Sequence, residues 1–376
     1  MPRSLALYRK YRPTTFSELV GQEHVVQTLT NALTLGRVGH AYLFVGPRGT
    51  GKTTTARLLA KAVSCTERGK AADPCGTCEN CQAFGGNRHP DLVEVDAATY
   101  TGVDHIREIR EGARVAPALS EYKTYVIDEV HMLSKSAANA LLKTLEEPPA
   151  HVIFVLATTD PEKIPATVIS RTQRFDFRTL TIAEISARLA KLTKAEGAEL
   201  DTETLELLAQ AADGSIRDGE SLLEQVLAFI GETASREEVL HLLGIPDPLV
   251  IRELADAMLR HNTAEALEQL TVALEKGSDP ATLAERLAGY LRDVLLLATD
   301  PVLGDSIERR SGTAHRDGAF AHAKTADHAQ LLKLLPALIE ATTLIPHSPV
   351  PSLPLELVIV EHAASEGREG KEGGVA

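Results

Sequence analysis

GPRGTGKT, at residues 46–53, decides the fold of this 376-residue chain. The stretch fits the pattern G-x-x-x-x-G-K-[ST], whose glycines let backbone N–H groups turn towards phosphate oxygens. An apolar run, AYLFV, precedes it, and a helical pattern begins at Thr53. A strand, a loop and a helix in that order are the context that the motif requires, and they argue against a chance glycine turn. The stretch therefore predicts a phosphate-binding loop.

Apolar runs that resemble buried strands alternate with helical patterns over the first half of the chain. The predicted strands are residues 41–45, 91–95, 124–128 and 152–159, with a fifth that starts at Arg174. Helical patterns lie between them at residues 53–62, 104–115 and 137–146. Strands that alternate with helices form parallel sheets covered on both faces. We therefore expect an α/β domain built on a five-stranded parallel sheet.

Beyond the last strand the pattern indicates helices only. Thr181 with Glu184, and Ser235 with Glu238, have the spacing of capping boxes, which open helices. The sequence GIPDP at residues 244–248 indicates a boundary between domains. The predicted organisation is a P-loop α/β domain at 1–178, a small helical domain at 179–243, a second helical domain at 244–362 and a disordered tail at 363–376.

Composition and charge are typical of a soluble protein that binds a polyanion. Hydrophobic residues make up 44% of the chain and charged residues 24%. The first residues lack the apolar core of a signal peptide, and no apolar run approaches membrane-spanning length. We expect a cytoplasmic protein with no membrane partner. The net charge is −13, yet the first 61 residues hold nine basic side chains against two acids. This asymmetry indicates either a basic face on a soluble domain or a segment that binds a nucleotide or a nucleic acid.

Two acids end the third predicted strand, in TYVIDEVHM. A parallel sheet would bring Asp128 beside the phosphate loop, where it suits a Mg²⁺ shell together with the Thr53 hydroxyl. Glu129 would orient and deprotonate the attacking water, and Lys52 would contact the β- and γ-phosphates. A pair of surface acids is the alternative, and the phosphate loop at this distance makes the catalytic interpretation the stronger one.

All four cysteines fall between residues 65 and 81, at Cys65, Cys75, Cys78 and Cys81. Two overlapping C-x-x-C units with a fourth thiol nearby fit a tetrahedral site for structural zinc. An iron–sulfur cluster uses the same number of thiolates, and disulfides are rare in the cytosol. Free core thiols are a further alternative, although the neighbouring residues are polar. We predict a zinc module at about residues 64–90.

Eight motifs together resemble one family, the bacterial DNA polymerase III gamma/tau subunits, whose AAA+ ATPase drives the sliding-clamp loader. They are KYRPTTFSELVGQEHV, GPRGTGKT, the cysteine cluster, IDEVHMLS, NALLKTLEEPP, ATTDP, ISRTQRF and GSIRD. The resemblance is dense from Tyr8 to Asp218 and mainly architectural beyond Gly244. It implies a P-loop domain, a helical lid and an all-helical collar that builds a five-subunit ring. ATP, Mg²⁺ and structural Zn²⁺ at the four cysteines would be the cofactors.

The resemblance also assigns roles to residues outside the phosphate loop. Thr159 takes the sensor-1 position near the γ-phosphate, although a threonine at a strand end is more often simply a strand-forming residue. Arg217 takes the sensor-2 position. Arg171, in SRT where the family usually has SRC, would be the arginine finger for ATP on the neighbouring subunit; an ordinary surface salt bridge is the alternative. The implied nucleotide contacts are Tyr8, Arg12, Pro13, Val20, Gly21, Gly46, Pro47, Gly49, Thr50, Gly51, Lys52, Thr53, Thr54 and Arg217.

These features predict an ATP hydrolase acting within the DNA polymerase III holoenzyme, with other loader subunits, the sliding clamp and primer–template DNA as partners. A non-hydrolysing AAA+ scaffold is one alternative, and the complete set of phosphate-loop and acidic residues argues against it. Another AAA+ motor that remodels DNA is the second, and the cysteine insertion argues against that one.

Overall fold

Two compact units make up the chain in the computed structural model, which describes residues 6–68, 72–86, 88–229 and 235–363. The first unit comprises residues 1–180 and 212–221, and the second comprises residues 181–211 and 222–376. Of the predicted tail at 363–376, Ala363 is the last residue of a helix, and residues 364–376 lie outside the described residues. The division into three domains stays a prediction.

A five-stranded parallel sheet forms the centre of the first unit, as predicted, with the strand order β2-β3-β4-β1-β5. The strands are β1 (Ala41–Val45), β2 (Leu92–Asp96), β3 (Lys123–Asp128), β4 (Val152–Thr158) and β5 (Gln173–Asp176). Every residue of β1 and β4 is buried, which explains why both read as continuous apolar runs in the sequence.

Helices cover both faces of this sheet. The helices of the first unit are α1 (Leu7–Lys10), α2 (Glu23–Thr34), α3 (Lys52–Ser64), α4 (Glu79–Gly85), α5 (Val103–Ala113), α6 (Lys135–Glu146) and α7 (Ala166–Ile169). Successive β1 side chains alternate between two cores, because strand side chains point to opposite faces. Phe44 packs with Leu29 and Leu59 on one face, whereas Leu43 packs with Ile106 and Leu141 on the other.

The second unit is built from helices over its described residues, apart from a single β-bridge residue at Glu199. Its helices are α8 (Ile182–Ala195), α9 (Thr202–Ala211), α10 (Ile216–Phe229, whose first residues belong to the first unit), α11 (Arg236–Leu243), α12 (Pro248–Leu259), α13 (Thr263–Glu275), α14 (Pro280–Thr299), α15 (Gly304–Ser311), α16 (Thr313–Ala323), α17 (His328–Leu344) and α18 (Leu353–Ala363). Short 3-10 helices occur at Phe16–Glu18, Val130–Met132, Pro161–Lys163, Pro301–Leu303 and Ile345–His347. Both predicted capping boxes are formed, at Thr181 and at Ser235.

One stretch, His328–His347, is long and apolar enough to cross a membrane by length and composition. The expectation that no apolar run reaches that length is therefore wrong. A single such helix is weak evidence for a membrane, because the core helix of a soluble protein passes the same test. Leu331, Leu334 and Leu338 of this stretch are buried in the core of the second unit.

Asp91, just before β2, ties the loop after α5 to the edge of the sheet. Its carboxylate accepts N–H groups from Ala118 (2.6 Å), Leu119 (2.8 Å) and Ser120 (2.9 Å). Burial alone would raise the pKa of Asp91, but these donors outweigh it and hold the pKa below its ordinary value. The ionised carboxylate therefore stabilises the fold.

Replacing this carboxylate by an amide should destabilise the first unit. We expect Asp91→Asn to lower the free energy of unfolding by about 2 kcal/mol at pH 7, because the charge is lost and an amide NH₂ meets an N–H donor. A depressed folded-state pKa gives stability that is present above the ordinary pKa and lost as the pH falls through the lowered value. The difference from wild type should therefore shrink below about pH 4.

Urea denaturation across that pH range measures this effect. Asp104→Asn is the control, because Asp104 is exposed and, among the described residues, pairs with Arg107 of its own helix, so little change is expected. Equal destabilisation by the two variants, or a gap between Asp91→Asn and wild type that stays constant down to pH 3, would contradict the role given to Asp91.

Candidate nucleotide-binding site and cysteine cluster

The phosphate loop lies between the end of β1 and the first turn of α3, as the motif predicts. Two of its glycines are required by close packing within the first unit. A Cβ on Gly46 would lie 2.4 Å from the carbonyl oxygen of Phe177, and one on Gly49 would lie 1.8 Å from Ser215 Oγ. Both residues also have positive φ, which side chains disfavour. The sequence had not singled out Ser215, which lies in the GSIRD motif.

Lys52 is the first residue of α3 and is almost fully buried. Its Nζ donates to the carbonyl oxygens of Gly46 (2.7 Å) and Pro47 (2.8 Å). Burial lowers the pKa of Lys52, and the nearby carboxylates of Glu129 and Asp128 act in the opposite direction. The ammonium group therefore lies within the loop itself, and phosphate oxygens would have to replace these two carbonyls as its acceptors.

Asp128 and Thr53 meet at the mouth of the loop. Thr53 Oγ1 donates to Asp128 Oδ2 across 2.6 Å, which joins the first turn of α3 to the end of β3. A hydroxyl and a carboxylate are the hard oxygen ligands that Mg²⁺ prefers, so this pair fits the ion that the sequence predicts here. The contact was expected from the parallel order of the strands.

Glu129 follows β3 in the left-handed backbone region, with φ of 49° and ψ of 47°. Its Oε2 accepts hydrogen bonds from the Thr159 N–H (3.2 Å) and from Thr159 Oγ1 (3.0 Å). Asp128, Glu129 and Thr159 are thus brought to one edge of the sheet, next to the loop. Their catalytic roles stay a prediction.

His131 is a member of this group that sequence reasoning missed. Its side chain is only 7% exposed, and its Nδ1 lies 3.3 Å from Glu129 Oε2 and 3.0 Å from Thr158 Oγ1. Its place two residues after Glu129, in the same motif, is the one signal in the sequence that could have pointed to it.

Arg217 lies beside Tyr8 rather than free over the loop. Its guanidinium carbon is 4.7 Å from the centre of the Tyr8 ring, a cation–π distance. The hydrogen bond from Arg9 to Tyr8 Oη (3.2 Å), aided by Arg217, lowers the pKa of Tyr8. Burial, and then the charges of Arg57, Arg9 and Arg217, lower the pKa of Arg12. Tyr8, Arg12 and Arg217, which are predicted to contact the nucleotide, therefore lie in a strongly cationic part of the first unit.

Gln22 links the segment of Pro13, Val20 and Gly21 to the phosphate loop, and no sequence pattern indicates this role. The side chain is buried, and its Nε2 donates to the carbonyl oxygens of Arg178 (2.8 Å) and Thr50 (3.4 Å). Thr50 is itself buried, and its Oγ1 donates to the Pro47 carbonyl oxygen (2.8 Å). Gly51 is the N-cap of α3, and Thr54 is half-buried in the first turn of that helix.

Arg171 lies at the opposite end of the sheet. It precedes β5, whose Gln173 pairs with Tyr42 near the start of β1, whereas the phosphate loop follows the end of β1. Four residues of strand, roughly 13 Å, separate the two levels. The Arg171 guanidinium pairs with Glu146 (2.8 Å) beside an open hollow of about 610 Å³. Arg171 therefore does not belong to the phosphate site of its own chain.

The four cysteine sulfurs form one compact cluster, all within 4.8 Å of one another. It is the one group of three or more potential metal ligands found among the described residues. The Sγ atoms of Cys75 and Cys81 are 3.8 Å apart and those of Cys78 and Cys65 are 3.9 Å apart, so neither pair is a disulfide. Zn–S bonds of about 2.3 Å in a tetrahedron give S···S distances of about 3.8 Å, so the cluster fits zinc.

Backbone N–H groups support these sulfurs. The N–H groups of Cys75 and Cys78 donate to the sulfurs of Cys65 and Cys75, each across 3.3 Å. Burial raises the pKa of Cys81, whereas for Cys78 burial is outweighed by donors from Cys81 and Thr66, which lower its pKa to about 6. At least one thiolate is therefore available at neutral pH, and the thiolate is the form that binds metals.

Three families match consecutive parts of the chain. The family described as "DNA polymerase III, delta subunit" matches residues 21–181, and the "DNA polymerase III clamp loader subunit, ATPase lid domain" matches residues 184–232. "DNA polymerase III subunits gamma and tau domain III" matches residues 234–371. The matched segments together extend from the phosphate-loop region into the last helices of the second unit.

The chain is also similar to curated proteins and, more weakly, to solved structures. The DNA polymerase III subunit tau of Bacillus subtilis is 48% identical over 81% of this chain and 54% of its own length. The tau subunit of Escherichia coli is 43% identical over 78% of this chain and 46% of its own length. The chain thus spans about half the length of these relatives. The RuvB Holliday junction branch migration motor of Thermotoga maritima is 20% identical, with a TM-score of 0.48 over 66% of this chain and 79% of that one.

The likeness to the branch migration motor is too weak to bear on function. The curated relatives and the three matched families agree with one another, and they agree with the motifs in the sequence. The chain belongs to the family of bacterial DNA polymerase III gamma/tau subunits.

Proposed function

We propose that this chain is an ATP-hydrolysing motor subunit of the bacterial DNA polymerase III clamp loader. One observation carries the enzymatic part: Thr53 and Asp128 meet across 2.6 Å at the mouth of the phosphate loop, with Glu129 adjacent. A scaffold that only binds partners would not need this set of residues. The names of the matched family and of the tau relatives support the role in DNA replication.

In this proposal ATP binds with its phosphates at the loop and at the N-terminus of α3, where backbone N–H groups and Lys52 neutralise their charge. Mg²⁺ held by Thr53 and Asp128 would add positive charge at the phosphates. Glu129 takes a proton from water as the water oxygen attacks the γ-phosphorus. The bond from the γ-phosphorus to the β–γ bridging oxygen breaks, and ADP and phosphate leave.

Arg171 would act on ATP bound by a neighbouring subunit. Its place at the far end of the sheet from its own phosphate loop supports that assignment. A guanidinium supplied by another subunit stabilises transition-state charge only when the subunits are assembled, so hydrolysis depends on the ring. The ion pair with Glu146 would have to open for Arg171 to reach a phosphate.

The proposed cellular role follows from the family. ATP binding would order a five-membered ring of loader subunits that opens the sliding clamp on primer–template DNA, and hydrolysis would release both. This takes place in the cytoplasm at the nucleoid. Steady-state ATPase assays with and without the other subunits, the clamp and primed DNA test it. We expect these components to stimulate ATP turnover. A turnover rate that is the same with and without them would overturn the proposed role.

The cysteine cluster is proposed to hold structural Zn²⁺. Four thiolates leave no open position for catalysis, and a bound ion lets a polar segment fold without a large core of its own. Asn80 and His89 support this segment from within: Asn80 donates to the Ser64 carbonyl at the end of α3 (2.6 Å), and His89 lies 3.3 Å from Asn80.

Removing the Lys52 ammonium group should abolish nucleotide binding or turnover. Lys52→Ala leaves the β- and γ-phosphates without their buried cation, so we expect no measurable ATPase and a large loss of affinity for a fluorescent ATP analogue. Lys61→Ala, on the same helix, is the control and should behave as wild type. Normal turnover by Lys52→Ala would show that the loop is not the ATPase site.

Removing the Arg171 guanidinium should separate binding from assembly-dependent turnover. Arg171→Ala should bind ATP as wild type does when isolated, and should lower turnover in the assembled ring by about 10³-fold or more. Arg174→Ala, a nearby exposed arginine that pairs with Asp176, is the matched control. If Arg171→Ala also weakens ATP binding by the isolated chain, the proposal that Arg171 acts on ATP of a neighbouring subunit is wrong.

Elemental analysis of the purified full chain should find one zinc per chain. Cys78→Ser combined with Cys81→Ser should lose the metal and lower the melting temperature, because two of four thiolates are gone. Glu79→Gln, between these cysteines, should keep both zinc and stability. Iron with acid-labile sulfide would identify a cluster instead, and no metal at all would leave the segment as free thiols.

A further inference from the structure

A buried histidine lies between two carboxylates beside the proposed catalytic base. His131 Nδ1 lies 3.3 Å from Glu129 Oε2, and Nε2 lies 3.4 Å from Asp160 Oδ2. The ring is 7% exposed, so its orientation is set by protein groups rather than by solvent. Neither the P-loop chemistry nor the arginine finger uses this side chain.

The end of β4 holds the ring in place. Thr158 Oγ1 lies 3.0 Å from His131 Nδ1 and accepts the N–H of Asp160 across 3.0 Å. The Asp160 carboxylate also accepts from Lys163 Nζ (3.0 Å), which fixes the acid on the far side of the ring. The histidine is thus anchored at both of its nitrogens.

Glu129 needs such an anchor because its backbone is in the left-handed region, which a residue other than glycine adopts only when its surroundings hold it there. Within the described part of the chain, the side-chain contacts of Glu129 are all made to Oε2, by Thr159 and His131. Oε1 has no such contact among these residues and is therefore available to a water molecule. A carboxylate fixed at one oxygen presents the other in a defined direction.

We propose that His131 is a positioning residue for Glu129, which keeps Oε2 engaged and directs Oε1 to the water that attacks ATP. This inference rests on the proposed ATPase function and deepens it. Thr159 and His131 then act together on one oxygen of the base, and Asp160 acts on Glu129 through the histidine ring. The effect belongs to the chemical step, because the polar partners of His131 among the described residues are Glu129, Thr158 and Asp160, and all three lie outside the phosphate loop.

Three substitutions separate positioning from space filling. Asn places a polar atom near the position of Nδ1, which faces Glu129, whereas Gln reaches the position of Nε2, which faces Asp160. We expect His131→Ala and His131→Gln to lower kcat about ten-fold, since a general base contributes about 10²–10⁴-fold and a misdirected one keeps part of this. His131→Asn should recover most of kcat. KM and affinity for a fluorescent ATP analogue should stay within about two-fold of wild type.

A double-mutant cycle shows whether His131 acts through Glu129. In a Glu129→Gln background, His131→Ala should cause no further loss of kcat, because the base it positions is already gone. The assays use the full chain assembled with its partner subunits, and melting temperatures show whether each variant folds. The Asn variant keeps the test valid if the Ala variant is unstable.

Several outcomes would overturn the inference. Equal activity of the Asn and Gln variants would indicate space filling, as would losses that follow the melting temperature. A rise in KM equal to the fall in kcat would place His131 in binding. Loss that adds to that of Glu129→Gln would show an independent role. A wild-type chain that lacks ATPase would overturn the proposed function, and this inference with it.

Discussion

Parallel pairing of β1 with β4, and of β4 with β3, is the constraint from which the candidate site follows. In this register Val45 at the end of β1 lies beside Thr158 at the end of β4, and Ile127 of β3 lies beside Leu156. The carboxyl ends of three strands therefore meet at one edge, which is where parallel α/β sheets bind ligands. Residues far apart in sequence come within hydrogen-bonding distance there because complete burial of β1 and β4 leaves no freedom to slip.

The same register places the phosphate loop and the proposed arginine finger at opposite edges of the sheet. The phosphate loop and Glu129, the proposed base, lie at the carboxyl edge, whereas Arg171 comes before β5 at the amino edge. A single rigid sheet cannot bring both to one phosphate. An arginine finger at this position serves only another subunit, and this gives a physical reason why a motor of this kind would hydrolyse ATP as a ring rather than as single chains.

Features with a local cause were predictable from the sequence, and those with a long-range cause were not. The buried strands, the capping boxes at Thr181 and Ser235 and the convergence of four cysteines each follow from short patterns. By contrast, α16 has no apolar stripe that would mark it in the sequence, since it buries the small residues Gly318 and Ala319. The contacts of Gln22, His131 and Asp91 join separate segments, and no pattern around any of them marks its partner.

Protein groups already engage each polar side chain that the proposed reaction needs. Lys52 donates to loop carbonyls, Arg217 packs on Tyr8, and Glu129 accepts from Thr159. Nucleotide phosphates would therefore exchange these contacts for their own, so part of the binding free energy goes into rearranging the loop and the first turn of α10. Since the Ile216 N–H at the start of α10 donates to the Gly49 carbonyl of the loop (3.2 Å), a change in the loop is passed directly to that helix. A nucleotide that rearranges the phosphate loop would therefore have to break this hydrogen bond or move the first turn of α10 with the loop.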